Sequence, residues 1–219
     1  FGYRWIDSDE PGGPAFGWTD ISTIGTELTA FAPDRDDGVQ TLTLPFAFPL
    51  YGVSNTSINI VTNGFVNFGT TSTAFSNGAI PSTTTPNNAL YGFWDDLDLR
   101  TSGKVFTYND VVGGRFIIQY DNAPRFGTTA VDTLTFQIIL RPSGEIRYQY
   151  LRVVGTTLNS GTIGVENSDG TIALQVVSSA TYVHNNLAII ISNDLVPWLS
   201  TDRTSGTIAA SDSQAVELR

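Results

Sequence analysis

The chain has 219 residues, 41% of them hydrophobic, and 11 Lys and Arg stand against 21 Asp and Glu, a formal charge of −10. That balance, with Lys104 as the single lysine, excludes the basic surface that nucleic acid or an anionic membrane requires. With no Cys and one histidine, His184, the chain has no disulfides, thiolate metal sites, Cys nucleophile or multi-His metal sites of its own.

Strand signals dominate from the first half onward. Thr41-Leu42-Thr43-Leu44 alternates as a half-buried strand does. Ser57-Ile58-Asn59-Ile60-Val61 alternates, meets the tight-turn dipeptide Asn63-Gly64, and resumes as Phe65-Val66-Asn67-Phe68, which predicts a hairpin. Residues 72–88 are rich in Ser, Thr, Pro and Asn and read as a long surface loop, with room for one helical turn near Asn87–Leu90. A second hairpin is predicted from Lys104–Tyr108 and Arg115–Tyr120, and a third from Asp132–Leu140 and Ile146–Leu151. Thr162–Glu166 and Ile172–Val177 pair across Ser168-Asp169-Gly170, and Leu187–Ile191 is a last buried strand. No stretch carries sustained helical spacing, and no apolar run reaches the ~20 residues of a membrane span. The fold class is therefore all-β, an antiparallel β-sandwich or jelly roll over residues 1–192.

After Ile191 the texture changes. Residues 193–219 hold short apolar runs separated by Thr, Ser, Gly and Asp, too little chain to bury a core alone. These strands are expected to dock on the sandwich, to meet a following domain, or to pair with another subunit. Strand donation to a neighbour would use Trp198, Leu199, Ile208, Val216 and Leu218 as apolar anchors. The start at Phe1, with no Met in the chain, reads as the mature end of an exported product.

Three acidic clusters carry the remaining chemistry: Asp7, Asp9 and Glu10; Asp34, Asp36 and Asp37; and Asp95, Asp96 and Asp98 behind Trp94. Calcium takes six to eight oxygen ligands, and Asp on tight turns can supply several, so Ca²⁺ is the expected cofactor if there is one. The same groups also read as solvated acids capping turns. Tyr91 and Trp94 are candidate platforms for a sugar ring. Paired carboxylates raise a glycoside hydrolase as a further alternative. Asp95 and Asp96 would face opposite ways within a strand, however, and could not share one bond. His184 lacks a Gly-x-Ser-x-Gly nucleophile elbow and reads as structural.

The run Val61-Thr62-Asn63-Gly64-Phe65-Val66-Asn67-Phe68-Gly69, with Ile80-Pro81-Ser82-Thr83-Thr84-Thr85-Pro86-Asn87-Asn88, Phe93-Trp94-Asp95-Asp96-Leu97-Asp98 and Gly161–Thr171, resembles a secreted bacterial β-sandwich accessory module. The segment from Val196 to Leu218 is similar to the first strands of an immunoglobulin-like bacterial surface domain. The first resemblance implies a non-catalytic module of large exported proteins and carries over no catalytic residue. Together these readings predict an extracellular structural or adhesive module at the cell surface. Its expected partners are other copies of itself in a filament, or adjacent domains of a longer chain. A carbohydrate-binding module, with a glycan partner, is the alternative.

Overall fold

The computed structural model describes residues 2–128 and 131–194. Thirteen strands run β1 (Arg4–Asp7), β2 (Thr26–Glu27), β3 (Val39–Leu50), β4 (Val53–Val61), β5 (Phe65–Asn67), β6 (Ala89–Trp94), β7 (Lys104–Asp110), β8 (Arg115–Pro124), β9 (Thr133–Leu140), β10 (Ile146–Val154), β11 (Thr162–Glu166), β12 (Ala173–Ser178) and β13 (Leu187–Ser192). They form a seven-stranded sheet ordered β1-β13-β10-β9-β8-β7-β2 and a six-stranded sheet ordered β12-β11-β6-β5-β4-β3. The pairings within both sheets are antiparallel, as an all-β sandwich requires. The predicted hairpins form, with Asn63-Gly64 in the turn between β4 and β5. No helix forms among the described residues. At the position expected to make a helical turn, Asn88 instead takes a left-handed φ of 49°, its N–H donates to Asn167 O, and β6 starts at Ala89.

Alternation decides which side chains meet between the sheets. Along β9, Leu134, Phe136, Ile138 and Leu140 point into the main core, while Ile139 belongs to a separate cluster with Ile21, Phe106 and Ile117. Both faces of this strand are buried because residues 15–25 cross the outer face of the larger sheet. Three glutamines hold that crossing. Gln119, Gln137 and Gln149 lie opposite one another on β8, β9 and β10. The Gln137 side-chain amide donates to Gln119 Oε1 (2.8 Å) and to Thr19 O (2.7 Å). Ile21 N–H donates to Gln119 Oε1 (3.1 Å), and Gln149 exchanges two bonds with the Gly17 backbone (2.8 and 2.9 Å). A polar ladder in the middle of apolar strands thus satisfies a crossing segment that has no strand partners of its own there.

The sheets are also tied directly. Three fully buried tyrosines of the larger sheet donate to backbone carbonyls of the smaller: Tyr120 to Val61 O (2.6 Å), Tyr148 to Gly164 O (2.8 Å) and Tyr150 to Gly92 O (2.5 Å). Gly92 leaves room for this approach, since a Cβ there would stand 2.8 Å from the Ile138 side chain. Burial raises the tyrosine hydroxyls well above their ordinary range, so they remain donors at any pH the fold survives.

Tyr150→Phe removes one of these bonds and leaves the Gly92 carbonyl buried without it. A loss of ~1–2 kcal/mol is expected in denaturant unfolding, whereas Tyr108→Phe, at a half-buried ring on the outer face, is expected to change little.

Candidate functional site

The second and third acidic clusters, far apart in sequence, meet around one turn. Thr62 and Asn63 are fully buried at the end of β4. Thr62 accepts from Gly38 N–H (2.9 Å) and donates to the carbonyl of Asp36. The Asn63 amide donates to Asp37 Oδ1 (2.9 Å), while its oxygen accepts from Leu97 N–H (2.9 Å). Gly64 is required next, with a φ of 76° and a position where a Cβ would lie 2.0 Å from Phe93 O. The turn therefore clips the loop of Asp34, Asp36 and Asp37 to the loop of Asp95, Asp96 and Asp98.

Within this junction most carboxylates have partners from the chain itself. Asp34 accepts from the N–H groups of Asp36 and Asp37. Asp36 pairs with Arg100 (3.0 Å), and Asp98 binds the same guanidinium (2.9 Å), which holds the Asp98 carboxyl below its usual range. Asp95 is buried against Arg125 (3.3 Å) and the Ser160 hydroxyl (2.5 Å). Asp96 differs: burial, then the charges of Asp37, Asp36 and Asp95, push its carboxyl up to about 6. Asp95 and Asp96 follow the end of β6 rather than lying within it, so the expected strand alternation does not govern them.

The first cluster has different partners. Asp7 accepts from the Tyr182 hydroxyl and from Asp9 N–H (3.0 Å). Asp9 pairs with His184 Nε2 (2.8 Å), and Glu10 is exposed, its backbone closing a turn with Asp7 and Gly13. Burial opposes protonation of His184, but the bonds to Asp9 and to the Asn185 carbonyl, with the charges of Asp9 and Asp7, together outweigh it and raise the imidazole above its ordinary value. Among the described residues no group of three or more Asp, Glu or His side chains is arranged to hold a metal ion.

Tyr91 and Trp94 correct the sequence reading. Tyr91 is fully buried and Trp94 nearly so; their rings stack 5.0 Å apart beside Phe65 under residues 74–86. The Tyr91 hydroxyl donates to the buried Glu166 (2.7 Å), and Trp94 Nε1 donates to Ala74 O (2.9 Å). Neither ring is open to a sugar, because the Ser/Thr-rich loop that read as free surface folds over them. Ile80 N–H reaches Gln175 Oε1 (2.9 Å) and Ser82 N–H reaches Glu166 Oε1 (2.6 Å), which anchors that loop to β11 and β12. Trp198, Leu199, Ile208, Val216 and Leu218 lie outside the described residues. The sequence reading missed the glutamine ladder and the Asn63 clip. Both had a legible signal, a lone amide residue inside an apolar or aromatic run.

The fold and its carboxylates define a β-sandwich module in which charged groups serve loop junctions. Residues 15–198 match the family described as NIDO related, and the chain belongs to that family. Dendrite extension defective protein 1 of Caenorhabditis elegans is 30% identical over 118 residues, covering 54% of this chain and 8% of that protein. This chain therefore corresponds to a small part of that relative. No solved structure matches it significantly.

Asp96→Asn tests the electrostatics of the junction. The folded carboxyl titrates near 6, above the ordinary value of 3.8, so its ionisation costs stability as pH rises from about 4 through about 6. The variant is expected to be more stable than the parent above pH 7, by about 1 kcal/mol or less given solvent screening, and equal to it at pH 4. Thermal unfolding at the two pH values reads this difference.

Proposed function

We propose that this chain is a non-catalytic structural or adhesive module of an extracellular protein. One observation carries the reading: Asp36, Asp95 and Asp98 are each bound to an arginine, and the exposed His184 is bound to Asp9. Groups so engaged fix loops and are poorly placed to exchange protons with a substrate. Membership of the NIDO-related family, and likeness to a part of a far longer protein, support a module rather than a self-sufficient enzyme.

The finer proposal is self-assembly at a cell surface, in which residues 195–219 of one copy add a strand to the next. Such a head-to-tail contact need not close and builds a fibre. The edges of the sandwich bear on where a strand could add. β2 has two residues, β1 has four, and β3 carries Pro45 and Pro49, all features that blunt an edge. β12 (Ala-Leu-Gln-Val-Val-Ser) has neither charge nor Pro, although its pairing with β11 is bulged opposite Ile163 and Gly164. It is the edge best suited to accept a strand.

Light scattering on the full chain tests the assembly. A large, heterogeneous mass is expected, collapsing toward one chain of 23.6 kDa in a Trp198→Asp, Leu218→Asp variant. A parent that is already a single chain, or a variant that still polymerises, contradicts strand donation.

A further inference from the structure

A second site lies on the smaller sheet, away from the acidic junction. A cavity of about 350 Å³ opens between the chain that follows β5 and the end of the Pro-rich loop. Asn67 and Phe68 line it with Thr70 and Thr71 on one side and Asn87 and Asn88 on the other, and among the described residues no charged side chain contributes. Its volume falls at the small end of ligand pockets, ~300–1,000 Å³.

Three features point to a ligand class. Asn67 is 1% exposed, and its amide nitrogen donates to Thr70 O (2.5 Å), but its Oδ1 has no hydrogen-bond partner. A buried acceptor left open is costly, so this wall is built to receive a donor. Second, the opposite wall is fixed: Asn88 donates through its side chain to Phe68 O (3.2 Å) and through its backbone to Asn167 O (2.8 Å). Third, the polar side chains of the lining are amides and hydroxyls, set beside the apolar Phe68 and Pro86, which gives a cation or an anion no counter-charge but suits a neutral molecule with several hydroxyls and an apolar face.

We propose that this cavity binds one residue of a neutral saccharide, with a sugar hydroxyl donating to Asn67 Oδ1 and the rim hydroxyls and amides completing the contacts. The site is distinct from Tyr91 and Trp94, which are packed in the core, and needs no exposed aromatic ring. Its described lining, from Asn67 to Ser168, is separate in sequence from the residues 195–219 invoked for self-assembly.

The test is a titration of the isotope-labelled full chain, followed by amide chemical shifts. The probes are the methyl glycosides of glucose, galactose, mannose, N-acetylglucosamine and N-acetylgalactosamine, each to ~10 mM, enough to occupy a millimolar site. At least one sugar is expected to shift Asn67, Thr70, Asn87 and Asn88 saturably. Thr71→Trp, at an exposed rim position, is expected to abolish the shifts by filling the mouth while leaving the remaining spectrum unchanged. Asn67→Leu, which removes the open acceptor, is expected to weaken binding at least tenfold. If no probe shifts these residues, or if the shifts survive in Thr71→Trp, the proposal is overturned and Asn67 holds a resident water only.

Discussion

The three tyrosine hydroxyls that cross the core set the terms for the whole molecule. A sandwich of two sheets needs only apolar interdigitation to cohere, and that force has no direction. Tyr120, Tyr148 and Tyr150 add direction, because each hydroxyl must find a carbonyl on the facing sheet or remain buried without one. Their partners, Val61, Gly164 and Gly92, lie on three different strands of the smaller sheet, so the bonds fix the offset of one sheet over the other. Two of the three acceptors are glycines.

That fixed offset reaches the functional surfaces. Val61, which accepts from Tyr120, immediately precedes Thr62 and Asn63, so the clip joining two acidic loops hangs from a tied strand. Gly92 lies in the same strand as Tyr91 and Trp94, which explains why those rings are held inside under residues 74–86. The amide-lined cavity is bounded by Asn67 at the end of β5 and Asn88 just before β6, two neighbouring strands of the same tied sheet. Loops that depend on rigid strands in this way can present polar groups at constant spacing without a disulfide to brace them.

Much of the fold was legible from residue order. Alternation and turn dipeptides located β3, β4, β5 and β7 to β13, because those strands pair with sequence neighbours or carry long apolar runs. β1, β2 and β6 were not legible. β1 and β2 are short and pair with strands distant in the chain, and β6 is buried on both faces, so Ala89–Trp94 shows no alternation. The site was less legible than the fold. Aromatic residues beside acids suggested a surface platform at Tyr91 and Trp94, yet whether a ring is exposed depends on a loop whose anchors, Glu166 and Gln175, lie some 80 residues or more away. The meeting of the Asp34–Asp37 and Asp95–Asp98 loops likewise depends on Asn63, a residue that read only as a turn former.

The central claim is that the tyrosine bonds make both sheets one cooperative unit. Native-state hydrogen exchange along β6 and β9 tests it most directly. If the claim holds, the slowest amides of both strands open with the same free energy and the same denaturant dependence, through global unfolding alone. If β6 opens at lower free energy while β9 stays protected, the sheets are separate units and the account of the fixed surfaces is wrong.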